Sequence, residues 1–135
     1  MIGILVVTHG NLSTELIKTS ELIIGKQDKV LSLNLNHGDS VETLARLVGE
    51  HVEKLEDGSG VLVLTDLFGG SPSNVTAANI KKYKFESITG VNLPMLIEAL
   101  CSREQYELDK LVELCIQAGK MGIQSLNYSI NNIAK

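Results

Sequence analysis

The sequence predicts an α/β fold, an open parallel sheet with helices on both faces, and three observations predict it. Short apolar runs alternate with stretches of helical periodicity from one end of the chain to the other. The run from Val61 to Thr65 is unbroken and apolar, as expected for a strand covered on both faces. Two runs end alike, in Thr8-His9-Gly10 and in Thr65-Asp66 ahead of Gly69-Gly70, so each leaves a polar or glycine-rich loop at a strand tip. Right-handed crossovers leave few topologies for such a chain, and the flavodoxin-like order 2-1-3-4 places strands one and three beside the topological switch point.

The first strand, Ile2 to Gly10, delivers His9 to its tip. Leu12, Leu16, Ile23 and Ile24 then recur at helical spacing, with Asn11 or Ser13 able to cap and Gly25 placed to stop the helix. Val30, Leu31, Leu33 and Leu35 form a second strand before the turn Asn36-His37-Gly38-Asp39. Asp39 with Glu42 resembles a capping box. Val41, Leu44, Ala45, Val48, Val52 and Leu55 share one face of a second helix, broken by Asp57-Gly58-Ser59-Gly60.

After the third strand, Ser71-Pro72 reads as an N-cap and a proline at the first helical position, opening a helix through Asn79 to about Tyr83. Ser87 to Val91 is a fourth strand, and Asn92, Leu93 and Pro94 start another helix. Leu108, Leu111, Val112, Cys115, Ile116 and Ile123 mark a last long one. Leu126, Tyr128 and Ile130 alternate like a strand exposed on one face, and Asn131 to Lys135 are expected to fray.

At 135 residues the chain has the length of a single domain, 1–135, without repeats or linkers. No stretch approaches the roughly 18 uninterrupted apolar residues of a membrane span, and Met1 leads straight into a core strand without a secretory signal, so the cytoplasm is the expected location. A net charge of -4 without a basic cluster argues against nucleic acid, whose binding rests on neutralising phosphates. Cys101 and Cys115 lack metal or redox spacing and read as buried reduced thiols; no metal or cofactor is implied.

A lone histidine is more often structural than catalytic, but a strand-tip imidazole with a carboxylate one strand away has another use. The acid can hold one ring nitrogen and leave the other exposed as a nucleophile in a fixed tautomer. Asp66 is the candidate orienter; the bland alternative is an N-cap or a solvated strand-end acid. Gly69-Gly70 before a helix start suits an anion, because glycines let backbone N–H groups converge and the helix N-terminus adds positive potential, with Ser71 offering a hydroxyl. Gly-Gly is also ordinary turn punctuation. Leu67 and Phe68 either tuck under the glycines or form an apolar patch for a partner. His37 and His51 read as bystanders.

Thr8-His9-Gly10, the run Thr65-Asp66-Leu67-Phe68-Gly69-Gly70-Ser71-Pro72-Ser73-Asn74, and Gly90-Val91-Asn92-Leu93-Pro94-Met95 together resemble the mannose-family enzyme IIA of the bacterial phosphoenolpyruvate-dependent sugar phosphotransferase system. The resemblance spans nearly the whole chain. It implies that His9 accepts a phosphoryl group from the phosphocarrier HPr and passes it to a IIB component, serving membrane IIC and IID components indirectly. It also implies that Asp66 hydrogen-bonds the imidazole, that Ser71 and the amides around Phe68, Gly69 and Gly70 hold the phosphoryl oxygens, and that the protein is a homodimer with an exchanged, antiparallel C-terminal strand. Some members carry a hydroxyl where Leu67 stands, so here only the Leu67 backbone is left to serve the phosphoryl group.

Other classes fit less well. A receiver domain needs acids where this chain has Thr8-His9, and an FMN-binding module finds few stacking groups in a chain with no Trp and three Tyr. The phosphoryl-donor subunit of a dihydroxyacetone kinase shares the fold and a strand-tip histidine, but the Gly69-Gly70-Ser71-Pro72 loop favours sugar transport.

Overall fold

The structure, a computed structural model, describes residues 1–133. Strands β1 (Gly3–His9), β2 (Val30–Leu35), β3 (Val61–Thr65) and β4 (Glu86–Ile88) form one parallel sheet in the order β2-β1-β3-β4. Helices α1 (Leu12–Ile24), α2 (Val41–Leu55), α3 (Ser71–Asn79), α4 (Leu93–Ser102), α5 (Leu108–Met121) and α6 (Leu126–Ile133) complete the described chain. The expected order of strands is the observed one.

Strand side chains alternate between two layers. Ile4 and Val6 of β1 and Leu62 and Leu64 of β3 pack with Leu96 and Ala99 of α4 and Leu111 and Cys115 of α5. Leu5, Val7, Val61 and Val63 pack on the other face with Leu44, Val48 and Val52 of α2 and Val75 of α3. Each fully buried aliphatic side chain stabilises the fold by about 1.5–3 kcal/mol, so the two central strands anchor both layers. On the second face the Tyr83 ring lies on bare backbone, since a Cβ on Gly49 would come within 2.6 Å of it. Asn79 donates to the Ala45 and Val75 carbonyls at 3.0 and 2.8 Å, tying the end of α3 to α2.

Register sets up the functional end of the sheet. The last β1–β3 pair is Val7 with Thr65, whereas β1 and β2 remain paired to His9 with Leu35. His9 therefore stands beyond the end of β3, where residue 66 leaves the sheet.

Several local expectations shift. The N-cap of α2 is Ser40, whose side chain accepts the Thr43 N–H at 3.2 Å, and Asp39 instead accepts the Asn36 N–H at 2.7 Å. Gly70, not Ser71, is the N-cap of α3, and that helix stops at Asn79 rather than near Tyr83. β4 is three residues long, ending at Ile88, and Val91 donates its N–H to the Thr65 carbonyl at 2.9 Å from a loop.

The largest correction is at the C-terminus, where Leu126–Ile133 is a helix and not the expected strand. Leu126 and Ile130 alternate but are also four apart, which places them on one helical face. A helix satisfies its backbone internally, as Ser129 N–H to Ser125 carbonyl begins to do at 3.0 Å, whereas a strand needs a neighbour. Residues 131–133 of the expected fray belong to α6, and the last two lie outside the described residues.

Candidate functional site

β1 is apolar until its final residues, so the strand buries six residues and releases only its last side chain, His9, which is 47% exposed. Asp66 emerges beside it from β3 with its side chain 11% exposed. One Asp66 oxygen, Oδ2, accepts the His9 backbone N–H at 2.9 Å and lies 2.8 Å from ring Nδ1. The other, Oδ1, accepts the Leu67 N–H at 3.0 Å. Burial works against the Asp66 charge, but the hydrogen bonds and charge of His9 outweigh it and hold the carboxyl below the usual carboxylate range. An ionised carboxylate only accepts, so Nδ1 carries the proton and, in the neutral ring, the Nε2 lone pair faces outward.

The glycine loop closes against that ring. A Cβ on Gly70 would sit 2.8 Å from His9 Cε1 and 3.5 Å from Nε2, so only a glycine lets the backbone approach the outward edge of the imidazole. Gly69 has φ +88°, a left-handed turn that brings the chain round into α3. Asn74 braces the turn by donating its side-chain amide to the Gly69 carbonyl at 3.3 Å, and its backbone N–H to the Gly70 carbonyl at 2.8 Å. The N–H groups of Ser71 and Ser73 precede the first helical hydrogen bond of α3, and Pro72 has none, so the helix that follows Gly70 starts with two donors that have no helical partner.

The structure thus brings His9, Asp66 and Gly70 into contact, with Gly69 and Ser71 on either side of Gly70. Phe68 is 87% exposed and does not tuck under the glycines, whereas Leu67 is half exposed and sets its Cδ1 3.1 Å from where a Cβ on Gly70 would lie. The Leu67 backbone N–H, left by the resemblance as the contact available at that position, is donated to Asp66 instead. Asn74 was legible only as part of a motif.

Thr8 and Ser13, both fully buried, were not legible as a pair: Thr8 Oγ1 accepts the Ser13 N–H at 2.8 Å, and Asn11 at the N-cap of α1 makes no side-chain cap. A polar residue at the end of a buried strand is the sequence feature that points to such a bond. His51 lies 2.8 Å from the Leu47 carbonyl within its own helix, and His37 is exposed in the turn after β2. Cys101 is exposed, contrary to expectation, because it lies on the outer side of α4; Cys115 is buried, which pushes its thiol up to about 12. Among the described residues no group of three or more His, Cys, Asp or Glu is placed to hold a metal ion, and no helix is long and apolar enough to cross a membrane.

Residues 3–116 match the EIIA-man family, described as the PTS system fructose IIA component. The chain is 37% identical over 127 residues to the mannose-specific EIIAB component of Escherichia coli (strain K12), covering 93% of this chain but 39% of that protein. It therefore spans well under half the length of that relative. It is 30% identical over 113 residues to the fructose-specific EIIA component of Bacillus subtilis (strain 168), covering 83% of this chain and 77% of the other. A crystal structure of phosphotransferase system component EIIA from Streptococcus agalactiae superimposes with a TM-score of 0.88 at 35% identity, covering 95% of this chain and 99% of that one. Fold and sequence agree, and the chain belongs to the EIIA-man family of phosphotransferase-system IIA components.

Proposed function

We propose that the chain is a phosphoryl carrier of the sugar phosphotransferase system, taking phosphate on His9 from HPr and passing it to a IIB component. The observation that carries the reading is the double grip of Asp66 on His9, with Gly70 against the free edge of the ring. In the step, the Nε2 lone pair attacks phosphorus in line. The new N–P bond forms as the bond from phosphorus to the donor's imidazole breaks, and the donor nitrogen keeps that electron pair. Asp66 stabilises the positive charge that the His9 ring gains, and Ser71 with the amides of the loop and the start of α3 receives the equatorial oxygens.

Phosphate then leaves by the same chemistry in reverse order, to a nucleophile on the IIB component. The mannose- and fructose-specific names of the relatives support a place in sugar uptake, and the family match favours this reading over a kinase subunit or a flavin module. A cytoplasmic setting follows from carriers that meet there. Leu67 and Phe68, exposed next to His9, offer an apolar contact for those partners.

The reading includes a homodimer. β4 is one of the two outer strands of the sheet, and a groove of about 410 Å³ beside it is lined by Ile88, Met95, Ile116 and Ile123. Leu126, Tyr128 and Ile130 of α6 are exposed, and a second copy burying them would remove that apolar surface from water.

The test of the carrier is incubation with phosphoenolpyruvate, enzyme I and HPr, followed by mapping of acid-labile phosphate. Label on His9 that vanishes in His9→Ala is the expected result. Label at His37 in that variant, or none in the wild type, would falsify the assignment.

A further inference from the structure

His9 is half exposed, and among the described residues its ring has a single hydrogen-bonded partner, so where the ring sits depends on how the backbone beneath it is held. The backbone on both flanks of His9 is tied to buried or paired groups. On one side Thr8 Oγ1, fully buried, accepts the Ser13 N–H at 2.8 Å. Ser13 Oγ in turn donates to the Leu33 carbonyl at 3.1 Å and to the Asn34 side chain, while Asn34 Nδ2 donates to Thr14 Oγ1 at 3.1 Å. On the other side the Gly10 N–H donates to the Leu35 carbonyl at 2.8 Å. The end of β1, the first turn of α1 and the end of β2 are locked together around one residue.

We infer that Thr8 and Ser13 are positioning residues for His9. Their buried hydrogen bonds hold the tip of β1 at the height from which both the His9 backbone N–H and ring Nδ1 reach the same Asp66 oxygen, at 2.9 and 2.8 Å. The apolar layer on that face would accept a valine at residue 8 as a matter of burial, since Ile4 and Val6 precede it on the same side of the strand. What a valine lacks is the acceptor. With the hydroxyl gone the Ser13 N–H is left buried and unpaired, and the chain between β1 and α1 relaxes to find it another partner. His9 is carried with that segment.

The inference rests on the carrier reading only for its kinetic readout. Thr8→Val is compared with Thr8→Ser, which keeps the acceptor and removes only a methyl group, and with Ser13→Ala, which keeps the N–H but loses the links to β2. Transfer from phosphorylated HPr is followed by rapid quench, and solvent exchange of the His9 Nδ1–H by NMR. At saturating donor, Thr8→Val is expected to transfer about 10-fold more slowly, since displacing a reacting group by a fraction of an ångström has costs of that order. The half-saturating HPr concentration stays unchanged, the ring proton exchanges faster, and Thr8→Ser restores both.

Ser13→Ala moves the same two readouts in the same direction, and carries the test if Thr8→Val does not fold. Wild-type rates and wild-type proton exchange in Thr8→Val and Ser13→Ala would overturn the inference. So would a Thr8→Ser variant as impaired as the valine. If the unaltered protein takes no phosphate, the carrier reading fails while ring-proton exchange still decides this one.

Discussion

A single oxygen of Asp66 holds His9 twice, at its backbone N–H and at its ring Nδ1, so strand tip and imidazole are aligned by one carboxylate. A neutral amide at that position keeps the shape but loses the charge that stabilises the ring as it becomes cationic. Asp66→Asn is expected to slow phosphoryl transfer by roughly 10²-fold or more while leaving His9 as the labelled residue. Rapid-quench rates from phosphorylated HPr measure it, and equal rates would make Asp66 merely structural.

The same contact has a pH signature. Asp66 is held below 3.8, its ordinary value, because the hydrogen bonds from His9 exceed the opposing effect of burial. A carboxyl lowered on folding contributes stability that is complete above the unfolded-state value and lost as pH falls through the folded-state one. The stability gap between the wild type and Asp66→Asn is therefore expected to shrink as pH falls below 3.8. Urea unfolding across that range tests the sign; a gap that widened on acidification would contradict it.

Gly70 and Gly69 separate two uses of glycine. Gly70 has φ -81°, which alanine adopts freely, but its Cβ would meet His9 Cε1 at 2.8 Å. Gly69 has open space at its Cβ position and φ +88°. Gly70→Ala is expected to cut the transfer rate about 10-fold by displacing the ring, with little loss of stability. Gly69→Ala is expected to cost about 1 kcal/mol of stability. Its effect on the rate is the smaller of the two. Unfolding curves and transfer rates for both variants check the pair.

Thr65, next to Asp66 in the chain, is buried, and among the described residues its Oγ1 has no hydrogen-bond partner. Valine has nearly the same shape and no hydroxyl to leave unsatisfied. Thr65→Val is expected to raise stability by about 1 kcal/mol, read from denaturant unfolding. A loss of stability would show instead that the hydroxyl has a bound water as its partner.

Removing the chain from Ser125 onward takes away the exposed Leu126, Tyr128 and Ile130. Sedimentation is expected to show dimers for the full chain and monomers or aggregates for the truncated one. An unchanged dimer would place the interface elsewhere.

By itself the sequence determined the sheet and its order, because burial on two faces repeats along the chain as apolar runs and helical stripes that can be counted. It also marked His9, Asp66 and the glycine loop, since strand tips are where apolar runs give way to polar residues. The helical C-terminus was not decided there: Leu126 and Ile130 satisfy alternation and helical spacing alike, and only the availability of a neighbouring strand separates the two. Nor was the Thr8–Ser13 bond, the capture of the Leu67 N–H by Asp66, or the contact of Gly70 with the His9 ring. Each joins groups whose meeting depends on how far β1 runs past β3 and how the loops turn. Register and loop path are settled by packing between distant segments, so tertiary structure decided them.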